Sequence, residues 1–230
     1  MLNPEQPLPR RIRSFIRRQG RLTDGQQFAL DNYWQAYGLE AENICDFTGV
    51  FGRNAPVCLE IGFGNGEALA QMAQANPMVD YLGIEVHRPG VGHLLRVLAQ
   101  RGLPNVRVYC HDAVDILERC IPDGSLSAVH LFFPDPWPKK KHFKRRIVRA
   151  EFVELMARKL APGGYFHAAT DWQHYALSMM KVLSAHQSLV NASATGGFCE
   201  RPAYRPQTKF ERRGLKLGHG VWDLVFIKPG

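Results

Sequence analysis

No stretch of the 230 residues is apolar for long enough to cross a bilayer. The arginines near the start are not followed by an apolar segment, so no secretory leader is expected. Cysteines are few and odd in number. Cys45, Cys58, Cys110, Cys120 and Cys199 form no C-x-x-C pair and share no ligand spacing with the histidines. That pattern argues against a disulfide framework and a zinc site. It fits reduced thiols in a cytoplasmic protein with no bound metal. Internal repeats and low-complexity tracts are also missing.

Acid is missing from two segments and nearly so from a third. Residues 10–21 carry six arginines and no acid, and residues 139–149 carry seven Lys/Arg and no acid. Residues 201–216 carry six Lys/Arg and a single acid, Glu211. Together they hold 19 of the 29 basic residues, which leaves 10 basic against 20 acidic residues elsewhere. The net charge of +8 is therefore an acidic body bearing three cationic segments. A protein tuned only for solubility intersperses its charges. Segregation points to a polyanion, most commonly nucleic acid. A membrane surface fits less well, because no basic segment is paired with a strong apolar helical face.

Residues 1–22 read as a basic, partly flexible N-terminal arm, and residues 23–230 as one domain. Thr23 or Asp24 is placed to cap a helix running to about Tyr37. From Pro56 short apolar strands alternate with helices: strands at Val57–Ile61, Tyr81–Val86, Val106–Cys110, Leu126–Phe133, Tyr165–Ala169 and Val221–Lys228. Helices are predicted to about Ala75, over 89–101, 113–119 and 144–160, and over 172–185, the fourth stopping at Ala161-Pro162-Gly163-Gly164. Nearly continuous apolar strands argue a parallel sheet covered on both faces, an α/β doubly wound fold that binds ligands beyond its strands' carboxyl ends.

Gly62-Phe63-Gly64-Asn65-Gly66 follows the first of these strands, and Glu60 precedes it. Glycines there let backbone approach a ligand closely. Glu85 ends the next strand, where an acid can take ribose hydroxyls, and Asp112 follows the third, where an acid can accept from an adenine amine or cap a helix. A pyrophosphate would want a positive helix N-terminus. An acidic set of Glu60, Glu67, Glu85 and Asp112 instead suits S-adenosylmethionine, a cation without phosphate.

The fourth strand runs into Phe133-Pro134-Asp135-Pro136-Trp137 and then the basic run Lys139 to Arg146. Two prolines hold Asp135 stiffly at the strand's tip, either as a reactive-centre acid or as a turn cap. These elements resemble the TrmB-type tRNA guanine-N7 methyltransferases. The likeness spans Arg13 to Thr23, Glu60 to Gly64, Gly83-Ile84-Glu85, Phe132 to Trp137, Lys144-Arg145-Arg146, Thr170-Asp171 and Thr208-Lys209-Phe210-Glu211. The FPDPW–KRR and TKFE elements are far more specific than the glycine turn.

The resemblance implies a Rossmann-like class I methyltransferase, with a mostly parallel seven-stranded sheet and an antiparallel last strand. Its implied activity is methylation of guanosine 46 in the tRNA variable loop. It implies donor contacts at Glu60, Gly62, Gly64, Glu85, Asp112 and Asp135, with Asp135 as the active-site residue. Substrate contacts fall at Lys139, Asp171, Thr208, Lys209, Phe210 and Glu211. RNA contacts fall at Lys141, His142, Phe143, Lys144, Arg145 and Arg146, joined by Arg17 and Arg18 of the arm. tRNA is the expected partner of a monomer or homodimer needing no protein partner.

Asp171 is equally placed to cap the helix at Trp172, and Trp137, Phe143 and Trp172 to stack on a base or to pack. Two rivals share parts of this pattern: an amino-directed, adenine-N6 type methyltransferase and a non-catalytic tRNA-binding protein.

Overall fold

The computed structural model describes residues 12–15, 20–208, 211 and 220–230. Arg17, Arg18, Lys209 and Phe210 of the expected site lie outside the described residues. Thr23 caps helix α1 (Asp24–Tyr37), in a capping box with Gln26. Strand β1 (Gly38–Leu39) and the short helix α2 (Phe47–Phe51) follow. The alternating unit then runs β2 (Val57–Ile61), α3 (Glu67–Ala75), β3 (Asp80–Ile84), α4 (Arg88–Arg101), β4 (Val106–Tyr109), α5 (Ala113–Arg119) and β5 (Leu126–Phe132). A 3-10 turn at Lys140–Arg145 precedes α6 (Ala150–Lys159), β6 (Leu160–Thr170), α7 (Gln173–Ser184), β7 (Val190–Asn191) and β8 (Trp222–Ile227).

The strands form one sheet in the order β1-β4-β3-β2-β5-β6-β8-β7. Pairing is parallel from β1 to β6, while β8 lies antiparallel between β6 and β7. Side chains alternate across a strand. Val57, Leu59 and Ile61 pack with α5, α6 and α7 on one face, and Cys58 and Tyr81 with α1, α3 and α4 on the other. The chain builds outward from β2 through β3 to β4, then returns to lay β5 on the other side of β2. That reversal opens a crevice at the carboxyl ends of β2 and β5.

Two expectations are corrected. Among the described residues the sheet has eight strands, not seven, because the two-residue β1 and β7 pair at its edges. No period-2 pattern can announce a strand of two residues. The helix expected over 144–160 begins only at Ala150. Arg146 has ψ 133° and Arg149 ψ 167°, outside the helical region, and the Val148 N–H donates to the Tyr175 hydroxyl at 3.2 Å. The Ala161-Pro162-Gly163-Gly164 segment ends no helix itself. It lies inside β6 and begins two residues after Lys159, the last residue of α6.

Candidate active site

A cavity of about 220 Å³ lies at the crevice. Gly62 contributes from the end of β2, Glu85 and Val86 from β3, His111 and Ala113 from beyond β4, and Phe132 to Asp135 from β5. Ser14 and Phe15 close one side. Glu85 and Asp135, from strands on opposite sides of β2, therefore share one cavity.

The glycine turn is shaped by backbone need. Gly62 and Gly64 have φ of 72° and 59°, left-handed values that favour glycine. Helix α4 also approaches this turn: a Cβ on Gly90 would lie 2.1 Å from the Gly64 carbonyl oxygen. Glu85 binds the turn together. Its Oε2 accepts from Gly64 N–H at 2.9 Å, and its Oε1 accepts from Val86 and His87 N–H at 2.7 and 2.9 Å. A carboxylate retains lone pairs beyond these for ligand hydroxyls.

Glu60 sits one residue before the end of β2, 3% exposed, and its Oε2 has no hydrogen-bond partner. Burial, with a smaller contribution from the Glu85 charge, pushes its pKa up to about 8. A buried acid of this kind suits a cationic ligand and disfavours phosphate. Asp112 is buried and caps α5, accepting from the Val114 N–H at 3.0 Å. The helix-cap reading of Asp112 is thus realised, while the cavity is lined by its neighbours His111 and Ala113.

On the acceptor side Asp135 is exposed at the cavity. It stands between two strained residues. Phe133 and Trp137 have φ of 52° and 44°, rare for non-glycine residues and costing on the order of 1–3 kcal/mol each. The Trp137 indole N–H donates to the Ser14 carbonyl at 3.1 Å, and Arg145 lies 5.1 Å over its ring. Phe143 is covered by Arg146 at 4.0 Å, whereas Trp172 is 42% exposed. Trp172, not Asp171, holds the cap position of α7, and no side chain caps that helix. Asp171 lies exposed at the end of β6.

Lys139, Lys141 and Lys144 are exposed, and His142, Phe143 and Arg145 half-buried. Arg146 departs from the expected RNA strip. It is 4% exposed and turned inward. Its burial was not legible in the sequence, because a basic run gives no sign of which member is internal.

Thr208 and Glu211 also resolve into local chemistry. The Glu211 N–H donates to Thr208 Oγ1 at 3.1 Å and the Thr208 N–H reaches Glu211 Oε2 at 3.4 Å, the reciprocal pairing of a capping box. Glu211 is 4% exposed, with both oxygens on Arg205 at 2.6 and 2.9 Å. Arg205 is fully buried and also grips Asp223 at 2.7 and 3.0 Å. Asp223 accepts from His167 at 2.7 Å, and His167 meets the Tyr204 hydroxyl at 3.0 Å. Burial lowers the His167 pKa, so the ring is neutral and donates through Nε2. The network went unnoticed in the sequence. Its one available signal was the T-x-x-E spacing of a capping box.

Fold and cavity together define a Rossmann-like methyltransferase. Residues 54–224 match the family model described as "Putative methyltransferase". Solved structures with the same fold include the 16S rRNA methyltransferase KamB, with a TM-score of 0.54, 17% identity and coverage of 82% of this chain and 96% of that one. The aminoglycoside resistance methyltransferase NpmB1 gives a TM-score of 0.55 at 15% identity, over 83% and 94%. Relatives in sequence are much nearer. The tRNA (guanine-N(7)-)-methyltransferase of Methylococcus capsulatus is 59% identical over 218 residues, covering 95% of this chain and 94% of the relative. That of Hydrogenovibrio crunogenus is 60% identical, over 94% and 91%. The chain belongs to the tRNA (guanine-N7)-methyltransferase family.

Proposed function

We propose that this protein transfers the methyl group of S-adenosylmethionine to N7 of guanosine 46 in the tRNA variable loop, acting in the cytoplasm. The observation that carries the reading is the shared cavity of Glu85 and Asp135 at the switch point between β2 and β5. Glu60, Glu85 and the glycine turn at Gly62 and Gly64 hold the donor, with Asp112 setting the edge of its adenine pocket through the cap of α5. When bound, the donor supplies an electrophilic methyl on a sulfonium.

Guanine N7 has an in-plane lone pair and no proton, so the protein needs no general base. Its task is to align the two reactants. Methylation moves positive charge onto the purine, and Asp135 and Asp171 stabilise that charge as it develops. The same carboxylates accept from guanine N1–H and the exocyclic amine. Adenine has no N1 proton and would leave a carboxylate unpaired, which is a strong basis for rejection. Trp172, exposed beside Asp171, offers a face for the extruded base. Lys139, Lys141 and Lys144 hold phosphates, contributing affinity without sequence choice. Thr208 and Glu211 present their turn to the substrate, with the Glu211 carboxylate spent on Arg205. The arm of residues 1–22 adds phosphate contacts outside the single catalytic domain.

Incubating labelled donor with bulk tRNA, digesting to nucleosides and mapping cleavage at 7-methylguanosine tests the proposal. One 7-methylguanosine in the variable loop is expected. Methyladenosine would instead identify the amino-directed rival. Wild-type transfer by Asp135→Ala would remove Asp135 from the mechanism.

A further inference from the structure

Arg146 sits in the densest basic run of the chain, where every neighbour invites reading as a phosphate contact. Its surroundings contradict that role. It is 4% exposed, and its guanidinium lies between two rings, 4.0 Å from the Phe143 centroid and 4.6 Å from the Tyr175 centroid. Nε donates to the Pro136 carbonyl at 2.8 Å. Both terminal nitrogens lie 3.2 Å from His174 Nδ1. Arginine carries no acceptor, so the His174 Nδ1 must be the acceptor and its proton must sit on Nε2.

These partners belong to two different elements. Pro136 directly follows Asp135 in the turn beyond β5. His174 and Tyr175 lie in the first turn of α7, immediately after Asp171 and Trp172 at the end of β6. Tyr175 is fully buried, and its hydroxyl accepts from Val148 N–H, so the α7 anchor is itself fixed. Residues with positive φ flank the Asp135 turn on both sides, and it is held in that shape by the Phe133 N–H on the Ala169 carbonyl at 2.7 Å, by the Trp137 indole on the Ser14 carbonyl and by Arg146 on the Pro136 carbonyl. Such strain persists only where surrounding structure over-determines the conformation.

We propose that Arg146 is a positioning residue for methyl transfer: it bridges the Asp135 turn to the start of α7 and so sets the relative placement of Asp135 and Asp171. It does not contact RNA phosphate. The proposal rests on the reading of Asp135 and Asp171 as the acceptor-side carboxylates. Its physical core is geometric. A planar guanidinium can stack between two rings while donating in its plane to two acceptors on different elements. A lysine ammonium keeps the charge but offers neither the plane nor the fork.

The two roles predict opposite behaviour for Arg146→Lys. A phosphate contact would survive it, with transfer near wild type. A positioning role would not, since misplacement of reacting groups by about 1 Å can cost on the order of 100-fold in rate. The experiment measures single-turnover methyl transfer at saturating tRNA, together with the salt dependence of tRNA binding, for Arg146→Lys, Arg146→Met, Lys144→Ala and Asp135→Asn.

The expected result is a fall of tenfold or more in the transfer rate of Arg146→Lys, with its tRNA affinity and salt slope unchanged. Arg146→Met should match it in rate and also keep the wild-type slope. Lys144→Ala should give the opposite signature, weaker tRNA binding with a salt slope lowered by about one unit or slightly less, as for one lost phosphate contact. Wild-type transfer by Arg146→Lys, or a reduced slope in Arg146→Met, would overturn the proposal. If Arg146→Met does not fold, the rate of Arg146→Lys decides alone. Asp135→Asn separates the two readings: full transfer by that variant sinks the role of Asp135, whatever Arg146 does.

Discussion

Donor binding should release a proton, and the magnitude follows from Glu60. With its pKa at about 8, about nine in ten Glu60 carboxyls carry a proton at pH 7 before the donor arrives. A sulfonium and an ammonium beside the glycine turn favour the ionised form and pull that pKa down. Binding at pH 7 should therefore expel close to one proton, and donor affinity should rise about tenfold per pH unit below pH 7 before levelling above pH 8. Two buried neighbours of Glu60 are silent in this window. Burial holds His130 neutral, with its pKa lowered to about 3, and keeps the Cys58 thiol protonated by raising its pKa well above the usual value. Calorimetric titration of the donor in phosphate and in Tris gives the proton count directly, because the observed heat shifts with the buffer's ionisation heat. Glu60→Gln should abolish the shift. A proton count near zero at pH 7 in the wild-type protein would refute the reasoning. Stability has the matching sign. Glu60 keeps a proton in the folded protein that it loses in the unfolded chain between about pH 4.5 and 8, so its own contribution to the stability of donor-free protein falls as pH rises through that window, while buried His130 and His167 act in the opposite sense below about pH 6.5.

Three further outcomes are expected. Arg205→Met strands Glu211 and Asp223 as buried carboxylates and should cost about 3–5 kcal/mol in denaturant unfolding, because one partner of a buried ion cluster has been removed. Gly90→Ala drives a Cβ into the Gly64 carbonyl and should weaken donor binding more than tenfold in calorimetry, with the far side of the sheet unaffected in hydrogen exchange. Trp172→Ala should weaken tRNA capture by roughly 5- to 150-fold, the range of one lost base–aromatic stack of about 1–3 kcal/mol, while leaving donor affinity unchanged.

Where the sequence was legible, one periodic or covalent signal dominated. Val57–Ile61 is apolar apart from Glu60 because helices cover both faces, and its boundaries were read to the residue. The capping signal at Thr23 and the stretch Ala113–Arg119 were equally plain. Legibility failed where tertiary partners override local preference. Lys144 to Arg149 has helix-forming composition, yet Arg146 leaves the helical region, its guanidinium donates to Pro136 and the Val148 N–H is taken by Tyr175. Asp112 was open to two readings that do not exclude each other. A carboxylate after a strand can serve a ligand or a helix N-terminus, and no local pattern distinguishes the two.

The two buried arginines change what the charge segregation means. Arg146 and Arg205 were both counted in the cationic segments, yet neither faces solvent. Each instead fixes a turn beside the candidate site: Arg146 holds Pro136, and Arg205 holds Glu211 while lying 5.6 Å from the Phe133 ring. On the proposed function, the basic run beside the site divides into exposed lysines available to a polyanion and a buried arginine, Arg146, packed under the site's turn. The division follows from side-chain physics. An arginine can be buried when rings and in-plane acceptors surround it, whereas a lysine ammonium is too strongly hydrated to go without a paired acid or carbonyl. Lysine fills the exposed positions 139, 140, 141 and 144 here, while Arg146 is internal and Arg145 and Arg149 are half-buried. Counting the run's charge overstates RNA affinity for the same reason, since a charge that never displaces a counterion adds nothing to the salt dependence.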